Sequence, residues 1–175
     1  MFTPSRIVFL PVAALAAAQP VQAMVYLSLE QAQELMFPGQ TLTPAPLTLS
    51  ADEIAAVERE TGTRYFAGAL RAWKGADGYF FADAVIGKHD LIRYAVALTL
   101  EGKVRQVEIL EYREAYGGEV RNAAWRSQFV GRAHGDPVQL GRDIRNVSGA
   151  TLSCQHVTDG IRRLLAVHAI AIAAR

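Results

Sequence analysis

Residues 64–112 leave this chain little choice of architecture. Aromatic and β-branched residues recur there at period two, and short turn sequences cut the block into pieces. Residues 64–74, 79–87, 91–100 and 103–112 read as four strands. The third has the plainest alternation, with Ile92, Tyr94, Val96, Leu98 and Leu100 on one face. The turns Lys74-Gly75-Ala76-Asp77-Gly78, Lys88-His89-Asp90 and Glu101-Gly102-Lys103 are short. Neighbouring strands therefore pair antiparallel.

Helical patterns flank this block. Ser28 with Gln31, and Ser50 with Glu53, have capping-box spacing and open short helices over 28–37 and 50–60. Leu29, Ala32, Leu35 and Met36 line the first, and Ile54 and Val57 the second. Pro38-Gly39 and Thr61-Gly62 end them. Pro44 and Pro46 keep 41–49 extended or irregular. Residues 122–130 read as a short helix with Trp125 and Phe129 four apart. Residues 131–147 are loop, with a possible strand at Val138-Gln139-Leu140. A last helix over 153–173 turns Val157, Ile161, Leu164, Leu165 and Ile172 inward, and Arg162 and Arg163 outward. The fold expected is α+β: an antiparallel sheet flanked by short N-terminal helices and a C-terminal helix. With 51% hydrophobic residues and no dividing linker, 24–175 reads as one domain.

Residues 1–23 read as a secretory signal peptide. Arg6 is the only charge, the apolar run 7–18 is too short to span a membrane, and cleavage falls after Ala23. Taking Arg6 from 18 basic residues leaves 17 against 17 acidic ones, a neutral product destined for the periplasm. The formal charge of +1 offers nothing for nucleic acid. Cys154, the single cysteine, forms no internal disulfide. It is either a small buried residue or a thiol whose pKa falls in the first turn of a helix.

Familiar catalytic patterns are missing. There is no G-x-S-x-G elbow, no G-x-G-x-x-G and no P-loop. His89, His134, His156 and His168 lack zinc-site spacing, so no metal is expected. The loop Gly131-Arg132-Ala133-His134-Gly135-Asp136 is polar and reads as filler or as the lining of a site. Glu108, Glu111 and Glu114 read as solvated charges. What remains is Ser148-Gly149-Ala150-Thr151-Leu152-Ser153. Small residues at the mouth of a helix let backbone approach a ligand, and free N–H groups with the positive dipole end suit a phosphate.

This motif, with the upstream stretches Tyr116-Gly117-Gly118-Glu119-Val120-Arg121, Trp125 and Gln128-Phe129-Val130-Gly131, resembles the FMN-binding domain family of bacterial electron-transfer proteins. Members of that family serve in the sodium-translocating NADH:quinone reductase and in the Rnf complex. The resemblance covers residues 79–165. It implies FMN held by a phosphoester to the hydroxyl of Thr151, with Ser148, Gly149 and Ala150 completing the motif. It further implies a flavin transferase that moves FMN from FAD with magnesium, and a membrane or periplasmic redox partner. Where the family usually has Asp three residues before the motif, this chain has Arg145, followed by Asn146; the nearest acid is Asp143.

Physical chemistry adds candidates around that motif. The N–H groups of Ser153 and Cys154 are free to donate to the phosphate. Arg121, Arg142 or Arg145 would neutralise it. Tyr116, Trp125 and Phe129 offer an aromatic wall for the isoalloxazine ring, or, for the last two, plain core packing. The function expected is that of an exported electron carrier. The alternatives are a module that binds FMN or another phosphate ligand without a bond, a flavin-dependent reductase with its own small substrate beside a polar pocket, and an accessory domain without flavin.

Overall fold

The computed structural model describes residues 24–65, 68–114 and 117–174. The expected signal segment 1–23 and Tyr116 lie outside them. Among the described residues, six strands build one antiparallel sheet: β1 (Met24–Val25), β2 (Thr43–Pro44), β3 (Arg71–Lys74), β4 (Gly78–Ile86), β5 (Leu91–Thr99) and β6 (Val104–Tyr112). Their order is β1-β6-β5-β4-β3-β2. The β4–β5 register is unbroken from Gly78 opposite Thr99 to Ile86 opposite Leu91. The β5–β6 ladder slips between Arg93 and Tyr94 and again between Ala97 and Leu98.

The first expected strand is cut to Arg71–Lys74, because Gly68 and Ala69 bring almost no side chain to a pleated surface. Leu70 makes only an isolated bridge to Leu47. Two short outer strands add to the meander. Pro44 pairs with Trp73 at the sheet edge, where its missing N–H costs no ladder bond.

Helix α1 (Leu29–Met36) and helix α2 (Ala51–Thr61) start at Ser28 and Ser50, and both capping boxes close in both directions. Gly62 ends α2 in the left-handed region at φ 65°. The expected helix over 122–130 breaks into α3 (Ala123–Arg126) between 3-10 turns at Gly118–Arg121 and Ser127–Phe129. The Val138-Leu140 strand does not form; Leu140 makes one bridge, to Ile144. Helix α4 (Thr151–Val167) begins two residues earlier than expected and runs on as a π turn at His168–Ile172. No helix among the described residues is long and apolar enough to cross a membrane.

Both faces of the sheet are covered. Ile92, Tyr94, Val96 and Leu98 pack under α4 through Val157, Ile161, Leu164 and Leu165, with Val57 of α2 beside them. On the other face Phe80, Ala95, Ala97 and Leu110 meet Ala32, Met36 and Phe37 at α1. Leu100, expected on the first face, sits in the turn beyond β5 and is exposed.

This double cover corrects four charge assignments. Arg163 is buried, and donates to Asp83 Oδ2 at 2.7 Å. Arg162 is half-buried and reaches the Thr61 carbonyl at 2.9 Å and Asp159 at 2.7 Å. Glu108 and Glu111 are buried rather than solvated. Glu108 pairs with Arg126, and Glu111 sits between Arg93 at 3.2 Å and Arg113 at 2.7 Å. A carboxylate taken from water must be paired, and each of these is.

Candidate cofactor site at the start of α4

The chain enters α4 through a tight turn. Gly149 takes φ 83°, a left-handed step that a side chain would strain. The N–H of Ala150 donates to the Val147 carbonyl at 3.0 Å, and Ala150 then serves as the N-cap residue. It has no side chain with which to cap, so among the described residues no side chain caps the N–H groups of the first turn. One of the expected donors is not among them: the Cys154 N–H is taken by the Ala150 carbonyl at 2.8 Å.

Exposure then alternates along the motif. Ser148, Gly149, Thr151 and Leu152 face solvent, while Ala150, Ser153 and Cys154 are buried. Ala150 is small for a reason. A Cβ built on Gly117 would lie 3.4 Å from Ala150 Cα and 3.1 Å from Ser153 Oγ, so the upstream Gly-Gly segment rests directly on the motif. Ser153 turns its hydroxyl inward, 2.9 Å from the Tyr112 hydroxyl. Burial pushes the Cys154 thiol pKa up, which makes it a core residue and corrects the expectation of a lowered value.

The Thr151 hydroxyl accepts a hydrogen bond from Asn146 Nδ2 at 2.8 Å. The backbone just before Asn146 is held on both sides. Trp125 Nε1 donates to the Arg145 carbonyl at 2.8 Å, and the Arg145 N–H donates to Gln128 Oε1 at 2.8 Å. The upstream Trp125 and Gln128 thus clamp the loop that delivers Asn146 to Thr151. Trp125 is buried and meets Phe129, itself fully buried, edge-on at 5.1 Å between centroids. Of the two sequence readings of this pair, core packing is the one the structure has. Neither Asn146 as a contact of Thr151 nor Gln128 as a brace of Arg145 stood out in the sequence, though an amide beside the missing acid was the available signal.

The arginines divide. Arg121 lies over the Tyr26 ring, 4.2 Å from its centroid, and no hydrogen bond among the described residues joins it to the motif. Arg145 leans on Gln128 through Nε at 3.4 Å, and Arg142 is exposed on the same loop. The polar loop 131–136 lines a cleft with Glu60 and Arg162, beside Leu165 and Ala166. That cleft lies toward the far end of α4, roughly 20 Å along the axis from Thr151.

Leu152, His156, Asp159 and Arg163 follow helical spacing down one side of α4 from the motif. The last three of them line a cleft of about 510 Å³ with Thr63, Arg64, Ile86 and Leu91. Among its lining residues is His156, whose Nδ1 lies 3.1 Å from the Gly87 carbonyl. Ile86 and Leu91 are exposed apolar residues on its rim. A second cleft, of about 370 Å³, gathers Tyr65, Arg71, Asp83, Arg93 and Arg163. Two of its three arginines are already neutralised, Arg163 by Asp83 and Arg93 by Glu111.

An exposed, oriented hydroxyl on an uncapped helix start, with an open apolar cleft bordered by His156, Asp159 and Arg163 of the same helix, fits a flavin nucleotide. A search of the curated proteins finds no match to the chain. Residues 87–166 match the family model described as FMN-binding domain, a span running from the β4–β5 turn through the motif and most of α4. This match supports the FMN-binding domain family for these residues and FMN as the cofactor.

Proposed function

We propose that the protein is an exported electron-transfer flavoprotein that carries FMN as a phosphoester on Thr151. The observation that carries this reading is the Thr151 hydroxyl itself: solvent-exposed, in the first turn of α4, and held by Asn146. The first-turn N–H groups and the helix dipole favour the phosphate beside it. Arg142 and Arg145 on the preceding loop add positive charge. The cleft rimmed by Ile86 and Leu91 offers the ring an apolar bed, and His156 stands about 7.5 Å along the axis from Thr151. Bound FMN supplies one- and two-electron chemistry; the protein holds and orients it.

A flavin transferase makes the ester, and a membrane or periplasmic redox partner supplies or takes the electrons. The signal pattern in 1–23, with cleavage after Ala23, supports export. A carrier fits better than a reductase with its own small substrate, because the polar cleft near the flavin bed has two of its three cations already paired.

The test is an intact mass of the full chain expressed with a flavin transferase. The expected product starts at Met24 and carries one FMN less water, and Thr151→Val loses that addition. The second reading, FMN bound without a bond, draws on Arg145 standing where an acid is usual. It would give a yellow native protein of unmodified mass. A colourless, unmodified protein would exclude both.

A further inference from the structure

Asn146 touches the hydroxyl that the reading above makes the attachment point, and it does so with a neutral amide. A threonine hydroxyl has one proton and two lone pairs. Asn146 Nδ2 takes one lone pair at 2.8 Å. The side chain's rotation is thereby fixed, while the proton and the second lone pair remain on the solvent side of an exposed residue. A hydrogen bond between exposed groups is ordinarily weak and short-lived. This one is braced, since the backbone of the preceding residue, Arg145, is gripped at its carbonyl by Trp125 and at its N–H by Gln128. The neighbouring Arg145 side chain is turned away toward Gln128.

We propose that Asn146 is the positioning residue for flavin loading, presenting the Thr151 oxygen in one rotamer to the incoming flavin dinucleotide. This rests on attachment at Thr151. In the step it serves, Thr151 Oγ1 forms a bond to the phosphorus on the flavin side of FAD. The pyrophosphate P–O bond breaks, and AMP leaves with the bridging oxygen. The hydroxyl proton goes to a base of the transferase, because an amide that donates through Nδ2 has no basic atom to receive it. No electron is gained or lost. A fixed oxygen saves the orientation cost that a freely rotating hydroxyl would bear at this step.

The role is separable from folding, because Asn146 and Thr151 are both exposed. The experiment follows covalent loading of the purified, signal-free wild type, Asn146→Ala and Asn146→Asp by intact mass against time, with flavin transferase, FAD and magnesium. Thermal midpoints are measured on the same samples. Asn146→Ala is expected to load about tenfold more slowly, with a midpoint within a degree or two of the wild type. Asn146→Asp keeps the contact with donor and acceptor exchanged, and should recover a rate within about threefold of the wild type. A wild type that loads while Asn146→Ala keeps pace with it overturns the positioning role and leaves attachment standing. A wild type that never gains FMN overturns attachment and, with it, this role.

Discussion

The hydroxyls of Tyr112 and Ser153 lie 2.9 Å apart, joining the last strand of the sheet to the first turn of α4. Ser153 is buried, so this bond fixes where the motif sits against β6. Tyr112→Phe leaves the Ser153 hydroxyl without this partner and should cost about 1.5 kcal/mol in urea unfolding. The double variant Tyr112→Phe with Ser153→Ala should lose less in total than the two single losses added together. Additive losses would mean the two hydroxyls do not interact.

Helix α4 crosses the sheet closely at Gly160. A Cβ there would sit 2.3 Å from the Tyr94 hydroxyl and 3.0 Å from a Val85 methyl. Although alanine favours helix over glycine, Gly160→Ala should destabilise the fold by about 2 kcal/mol, because a packed sheet face has no room to yield. Adding Tyr94→Phe removes the nearest atom and should restore part of that loss. An unchanged or raised denaturation midpoint for Gly160→Ala would show that the helix stands off further than this.

His168 gives stability a pH dependence. It is buried in the π turn, its Nε2 has no hydrogen-bond partner among the described residues, and burial lowers its pKa against the opposing pull of Glu101. The folded protein therefore prefers the neutral ring. The contribution is whole above the unfolded pKa of about 6.5 and is lost as pH falls from there toward the lower folded value. The slope cannot exceed about 1.4 kcal/mol per pH unit for one group. The thermal midpoint should fall between about pH 7.5 and about pH 5, and fall less in His168→Gln. Equal falls in both proteins would rule out His168 as the source.

Trp125 acts on the site through the loop backbone. Trp125→Phe keeps an aromatic ring against Phe129 and removes the donor to the Arg145 carbonyl. A loss of about 1 kcal/mol is expected. Amide exchange should speed up at Arg145 and Asn146 more than in β4 or β5, because a released loop opens locally. A uniform change across the protein would point to packing alone.

Much of this molecule is legible in its sequence because the signals are local. The β4–β5–β6 meander follows from alternation and short turns, and each capping box needs only a serine and the residue three places on. The antiparallel α+β fold and the FMN-binding domain both follow from such stretches. The shortened β3 shows the limit, since Gly68 and Ala69 fit an extended reading yet give the sheet nothing to hold.

Other features depended on which residues meet across the chain. Helix α4 starts at Thr151 because Ala150, pressed against Gly117, becomes its cap residue. Arg163 and Asp83 are 80 residues apart, and Tyr112 and Ser153 are 41 apart. No periodicity records such pairs. By itself the sequence determined that a meander precedes a small-residue motif at the mouth of a helix. Only the tertiary structure decided that Glu108, Glu111 and Arg163 are buried, because burial depends on both sheet faces being covered. It also decided that Trp125 holds the Arg145 carbonyl and that Asn146 meets Thr151. Those contacts arise where separate segments close on one another, and their geometry exists only once the chain has folded.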